Sequence, residues 1–167
     1  VSADGLYSQE GRPKLLRDLY YTPQEHPIIG QIFGGKPENI FEAAKLIKEL
    51  GFDGLDINMG CPDRGIEKQG GGASLMKHPA LAQEIIKAAQ QGAAGLPVSI
   101  KTRIGYNAIE IEKWTRVLLE AKPAAITFHL RTRKEMSKVA AHWDAIQIPV
   151  AMAKVSVIIP TYNRERF

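Results

Sequence analysis

The apolar positions of the chain fall into short runs, some alternating every second residue and others recurring every third or fourth. Pro27-Ile-Ile-Gly-Gln-Ile-Phe33 is a continuous apolar run with one polar residue inside it, which predicts a strand covered on both faces. Gly34-Gly35 ends it. Pro37 opens a predicted helix that carries Ile40, Ala43, Ala44, Ile47 and Leu50 at helical spacing and stops at Gly51. Beyond it, Leu55, Ile57 and Met59 alternate with Asp56 and Asn58, predicting a strand of a buried sheet over 53–58. A polar, glycine-rich loop follows over 63–72. Pro79 starts a second long helix with Leu81, Ile85, Ala88 and Ala89 inward. Residues 96–103 predict a further strand with its charges at the C-terminal end. Asn107 and Glu110 stand at capping-box spacing before a helix that sets Ile111, Trp114, Leu118 and Ala121 on one face. Residues 124–129 predict another strand, 142–146 a helical turn or two, and 148–152 the next strand. At the start, residues 1–5 read as the end of a strand entering a loop, without a helix cap. Leu15, Leu16 and Leu19 mark a short helix over 13–21.

Strand, loop and helix therefore repeat along the chain, an alternation that builds a parallel α/β sheet with right-handed crossovers. An open doubly wound sheet and a (β/α)8 barrel both satisfy it. A barrel takes about 200 residues or more, so a length of 167 residues favours the open sheet. With 44% hydrophobic and 24% charged residues, the composition is that of one ordinary soluble domain. No apolar run approaches the roughly 20 residues of a membrane span, and the N-terminus lacks a signal-peptide pattern. The single cysteine excludes an internal disulfide and fits a reducing cytoplasm. The net charge of +4 permits a polyanionic partner without demanding one.

Polar side chains gather at the C-terminal ends of successive predicted strands: Gln31, then Asn58 and Cys61, then Lys101 and Arg103, then His129 and Arg131. That is the distribution expected at the active face of a parallel α/β protein. Charge inside a strand is costly to bury unless it meets a ligand or partner, and a spacing of two sends Lys101 and Arg103 to the same side. Gly60 lets backbone approach a ligand, and Pro62 stiffens the loop beside Cys61. A thiol held there is a candidate catalytic group; the bland reading is a small buried apolar residue. Arg131, Arg133, Lys134 and Lys138, with Arg64 and Lys68, form either a phosphate-binding rim or a solvated basic face. The glycines at 70–72 lack the spacing of a dinucleotide or phosphate loop and read equally as a flexible turn. His129 alone also reads as a satisfied strand-end histidine. No Cys or His pairing has metal-ligand spacing, so no metal is assigned.

Four stretches together resemble tRNA-dihydrouridine synthases: Asp56-Ile-Asn-Met-Gly-Cys-Pro62, Lys68-Gln-Gly-Gly-Gly-Ala-Ser-Leu75, Ile100-Lys-Thr-Arg-Ile-Gly105 and His129-Leu-Arg-Thr-Arg133. The match runs in the family's order from Ser2 to about Ala151. The resemblance implies a partial FMN-binding TIM barrel, (β/α)8, spanning roughly strands two to six. It implies NADPH- and FMN-dependent reduction of the C5–C6 double bond of tRNA uridines. Carried over, Cys61 is the general acid toward C5, holding a proton rather than acting as a thiolate. Asn58 positions flavin and uracil, while Gln31, Lys101 and His129 contact the isoalloxazine system. Arg103 contacts the substrate base or its backbone, and Arg64, Lys68, Arg131 and Arg133 meet tRNA phosphates. The implied location is the cytoplasm, and the intact family member is implied to be a monomer. An FMN barrel enzyme acting on a free pyrimidine and a non-catalytic RNA-binding remnant are the competing classes.

The chain departs from the family in three respects. Set against the resemblance, it is expected to lack the family's first strand, with its proline-methionine-alanine-glycine loop, and the last strands and helical tRNA-binding domain. A truncated barrel of this kind is expected to bind flavin weakly and to dissolve poorly. Leu130 stands where the family has glycine and is expected to crowd backbone that should lie near the ligand. Finally, Val155-Ser-Val-Ile-Ile-Pro-Thr-Tyr-Asn163 resembles the opening strand of nucleotide-sugar glycosyltransferases, which suggests a junction near Ala153–Lys154 and a foreign tail over 154–167. Physically, Val155 to Ile159 is able to supply a surrogate strand.

Overall fold

The computed structural model describes residues 1–152 and the backbone of Val157–Ile158. Strands β1 (Ile29–Ile32), β2 (Gly54–Met59), β3 (Val98–Arg103), β4 (Ala125–His129) and β5 (Val157–Ile158) form one parallel sheet in chain order. The helices are α1 (Ala3–Tyr7), α2 (Arg12–Arg17), α3 (Pro37–Glu49), α4 (Arg64–Lys68), α5 (Pro79–Ala93), α6 (Ile111–Glu120) and α7 (Gln147–Met152). α3 links β1 to β2, α4 and α5 link β2 to β3, and α6 links β3 to β4. A doubly wound sheet reverses its strand order at a switch point. The described strands show no such reversal, which corrects the preference for an open doubly wound sheet drawn from length.

The register divides the chemistry of the sheet. Gln31 stands opposite Asp56, Asp56 opposite Ser99, Asn58 opposite Lys101, and Arg103 opposite His129. Facing residues of neighbouring strands share a side, so these polar groups line one face together. The other face carries Ile32, Ile57, Met59, Ile100, Ile126 and Phe128, all buried. It packs against Ile40, Ala44 and Ile47 of α3, Ile85 and Ala89 of α5, and Trp114 and Leu118 of α6 in one hydrophobic core. Burying these side chains stabilises the chain by about 1.5–3 kcal/mol each for the larger ones. The buried Thr102 hydroxyl donates to Met59 O (3.2 Å) and accepts from Trp114 Nε1 (3.0 Å), so the polar atoms in this layer are satisfied.

Several elements differ from their sequence-based expectations. β1 is not covered on both faces: Ile29 and Gln31 are exposed while Gly30 and Ile32 are buried. The start of the chain does have a helix cap, since Ser2 Oγ accepts from Gly5 N–H at the head of α1. Val1 still runs beside β1, donating to Gln31 O and accepting from Phe33 N–H. Asn107 caps nothing; α6 begins after Glu110, whose N–H is taken by Ile104 O (2.8 Å). The glycine-rich loop contains α4, because Asp63 Oδ1 accepts from the N–H groups of Gly65 and Ile66 and nucleates a turn.

Residues 148–152 form α7 rather than a strand. A run that short carries no decisive period. Here Pro149 is buried, Ile148 and Val150 face outward, and α7 packs on α6. The strand next to β4 comes later, with Val157 and Ile158 paired opposite Ile126 and Thr127. It falls within the run at 155–159 that the sequence marked as able to supply one. The junction near Ala153–Lys154 and the glycosyltransferase-like reading of 154–167 lie otherwise outside the described residues.

α3 and α5 meet closely at Gly92. A Cβ there would stand 2.2 Å from Phe41 O and 3.0 Å from the Ala44 side chain. Gly92→Ala gains up to about 1 kcal/mol of helix propensity, but overpacking costs about 1–3 kcal/mol. The expected net result is a lower urea midpoint with an unchanged slope; a higher midpoint would show that the two helices can separate freely.

Candidate active site

β2 ends at Met59, and the chain then turns through Gly60, Cys61 and Pro62 at the C-terminal edge of the sheet. Asn58 shapes this turn. Its Oδ1 accepts from Gly60 N–H (3.1 Å) and Cys61 N–H (3.0 Å), and its Nδ2 donates to Gln31 Oε1 (3.2 Å). Cys61 O accepts from Ala73 N–H (2.9 Å), so the cysteine is held on both sides of its own Cα. Cys61 is a free, half-buried thiol. Gly60 has a structural reason beyond access to a ligand. A Cβ on it would lie 3.1 Å from the Thr102 backbone, so its bareness lets β2 close on β3. The glycines at 70–72 are likewise packed rather than a loose turn. Gly72 has φ +59°, and a Cβ there would stand 2.6 Å from Cys61 O. A side chain at Gly72 would push the cysteine loop away.

The polar face beside this loop is a connected network. Asp56 accepts from Gln31 Nε2 (2.7 Å) and Ser99 Oγ (2.6 Å), which links β1, β2 and β3 across the face. Lys101 is half-buried opposite Asn58, with no hydrogen-bond partner for its Nζ among the described residues. Burial and the neighbouring Arg103 charge lower its pKa, against the pull of Asp56 and Cys61. His129 lies across from Arg103, and its pKa is lowered to about 4 by burial first, then by the charges of Arg103, Lys101 and Arg131. Arg131 Nη1 stands 3.0 Å from His129 Nε2. A guanidinium can only donate, so Nε2 is the acceptor and the ring proton belongs on Nδ1. Among the described residues the face therefore offers one unpaired ammonium, one neutral imidazole and two oriented amides.

The arginines divide into held and free. Arg103, expected to meet substrate, is buried, and its Nε donates to Gly60 O (2.8 Å). Its Nη1 donates to Thr132 O (3.1 Å) and Met136 O (2.9 Å). Those bonds tie the cysteine turn to the loop after β4. Arg133 is also held, forked onto Glu67 and donating to Pro62 O. Arg131 donates its Nε to Val139 O (2.7 Å). Arg64 and Lys68, both on α4, are exposed. Leu130 turns into the hydrophobic core at 2% exposure, so its bulk is absorbed there instead of crowding the polar face. Sequence reasoning missed Glu67, which no local pattern ties to Arg133, 66 residues away. It also gave Asp56 no role, although the strand alternation put it beside Asn58. Among the described residues no three His, Cys, Asp or Glu side chains gather into a metal site, and no helix is long and apolar enough to cross a membrane.

The fold and this face define a parallel α/β protein whose functional groups converge at the carboxyl ends of its strands. The family model described as Dihydrouridine synthase matches residues 9–160, and the chain belongs to that family. Two relatives show the extent of the likeness. A probable tRNA-dihydrouridine synthase of Staphylococcus aureus strain Mu50 is 44% identical over 145 residues, covering 86% of this chain and 42% of its own length. Probable tRNA-dihydrouridine synthase 2 of Bacillus subtilis strain 168 is 46% identical over 147 residues, covering 87% and 45%. The chain thus spans less than half the length of these relatives.

His129 yields a pH prediction. Unfolded, its imidazole takes a proton near 6.5; folded, it does so only near 4. Between those values the unfolded state binds more protons, so stability rises with pH across that window and is complete above it. As pH falls from 6.5 toward 4 the contribution of His129 is lost. An NMR titration is expected to find this ring neutral down to about pH 5, and Lys101→Met should move its pKa upward. A midpoint near the ordinary histidine value would contradict the cationic surroundings described above.

Proposed function

We propose that this chain carries the flavin- and base-facing part of a tRNA-dihydrouridine synthase, an oxidoreductase that reduces uridine to 5,6-dihydrouridine in tRNA. The observation that carries the reading is the Asn58 grip on Cys61 at the carboxyl end of β2, beside Lys101 and His129. Family membership and the relatives' names support it. The unreversed strand order, with its helices packed over one face, supports reading the sheet as part of a (β/α)8 barrel.

The polar face fits FMN. A reduced isoalloxazine gathers negative charge along its polar edge, and Lys101 is a half-buried ammonium without a partner among the described residues. Gln31 and Asn58 offer amide groups already aligned by their bond to each other, and His129 adds an N–H donor. FMN, when bound, supplies the hydride for C6 of the uracil, and NADPH renews it. Cys61 holds the proton for C5, so one hydride and one proton saturate the double bond and solvent reprotonates the thiolate. Asn58 fixes the backbone from which that proton is delivered, and Arg103 holds the preceding carbonyl. The target base must leave its stack to reach this face. The exposed Arg64 and Lys68, with Arg131 beside His129, attract tRNA phosphates.

Cys61→Ala tests the reading. Dihydrouridine formation in tRNA, followed by mass spectrometry of its nucleosides, is expected to fall by about 10²–10⁴-fold. FMN reduction by NADPH should continue at its original rate. Loss of both reactions together would remove the acid role, and turnover of a free pyrimidine with none on tRNA would favour a different flavin enzyme.

A further inference from the structure

Two arginines bracket Cys61. Arg103 takes the carbonyl in front of it, and Arg133 Nη2 takes the carbonyl behind it, Pro62 O at 3.3 Å. Arg133 is aimed by Glu67: Nε meets Oε1 at 3.0 Å and Nη2 meets Oε2, with side chains only 23% and 11% exposed. The backbone of Arg133 is anchored as well, its N–H donating to Gly105 O (2.9 Å), and the next N–H, of Lys134, goes to Tyr106 O (2.9 Å). The Tyr106 ring lies 5.4 Å from the guanidinium and 3.8 Å from Lys77 Nζ. One guanidinium thus joins the loops that follow β2, β3 and β4.

We infer that Glu67 and Arg133 are positioning residues that hold Cys61 in line with the substrate base, and that Arg133 is not a phosphate contact. The inference rests on the reading of Cys61 as proton donor. Its physical basis is the fork. A carboxylate that accepts two parallel N–H bonds fixes the plane of the guanidinium and leaves the second N–H of Nη2 aimed at Pro62 O. The same carboxylate cancels the charge that a phosphate would need. A lysine at 133 could supply charge but not the fork together with the third bond.

Glu67→Gln keeps the shape of the side chain and removes its charge, so the two roles predict opposite results. For a positioning pair, kcat for uridine reduction falls about 10–100-fold while KM for tRNA stays within about twofold. Alkylation of Cys61 by iodoacetamide then speeds up several-fold because its loop is released, and FMN reduction by NADPH is unaffected. A lower KM with unchanged kcat and unchanged alkylation would overturn the inference, since a freed guanidinium would be drawing in phosphate. Arg133→Lys should reproduce the loss of kcat and carries the same test if Glu67→Gln does not fold. Alkylation reports on Cys61 without turnover, which separates the two claims. Faster alkylation in Glu67→Gln beside an active Cys61→Ala enzyme would sink the acid reading and keep the positioning. Unchanged alkylation and kcat beside an inactive Cys61→Ala would sink the positioning alone.

Discussion

The amide oxygen of Asn58 is the point on which this site depends. One acceptor at the end of β2 gathers the N–H groups of Gly60 and Cys61 and so decides how the chain leaves the sheet. The other backbone groups of that turn are then taken by distant partners. Gly60 O goes to Arg103, Cys61 O to Ala73 N–H, and Pro62 O to Arg133. A reactive side chain on a loop is useful only when the loop has one conformation. Here the pinning comes from β2, β3, the loop after β4 and the glycine-rich segment at once. The bareness of Gly60 and Gly72 is part of the same constraint, because each lets another piece of backbone come within packing distance of the turn.

Around that turn the cations are sorted by what they touch. Arg103 and Arg133 are spent on carbonyls and a carboxylate, so they organise the loops. Lys101 has no partner for its ammonium among the described residues, and burial together with the surrounding positive charge keeps His129 neutral. Asp56 offsets part of that charge while tying Gln31 and Ser99 together. The result is a face that favours an anionic, hydrogen-bonding ligand without presenting bare charge everywhere. The exposed basic groups of α4 lie just outside it, on a helix that Glu67 and Arg133 hold in place.

Much of this was legible along the chain. The helical spacing of Ile40, Ala43, Ala44 and Ile47, with Pro37 before it and Gly51 after, marks α3 because the apolar stripe must face a sheet. The alternation in β2 and β3 places Asn58, Lys101 and Arg103 on one face for the same reason. The elements misread are those where local signals compete. Asn107 has the spacing of a cap, yet the chain through 105–109 folds back so tightly that the helix starts at Ile111. Residues 148–152 alternate like a strand but form a helix, since five residues cannot favour one period over the other.

The sequence by itself determined the alternation of β1 to β4 with α3, α5 and α6, the residues of the polar face and the family, because hydrophobic period and strand-end chemistry are local and repeat. Only the tertiary structure decided which charges are free. Arg103, Arg131 and Arg133 look alike in a row of basic residues. Their difference lies in the partner: Arg131 meets Val139 O and His129 close by in the chain, whereas Arg103 reaches back to Gly60 O and Arg133 to Glu67 on α4. Pairings of that kind follow from the register of β2, β3 and β4, which brings three loops to one edge. No window along the chain contains them.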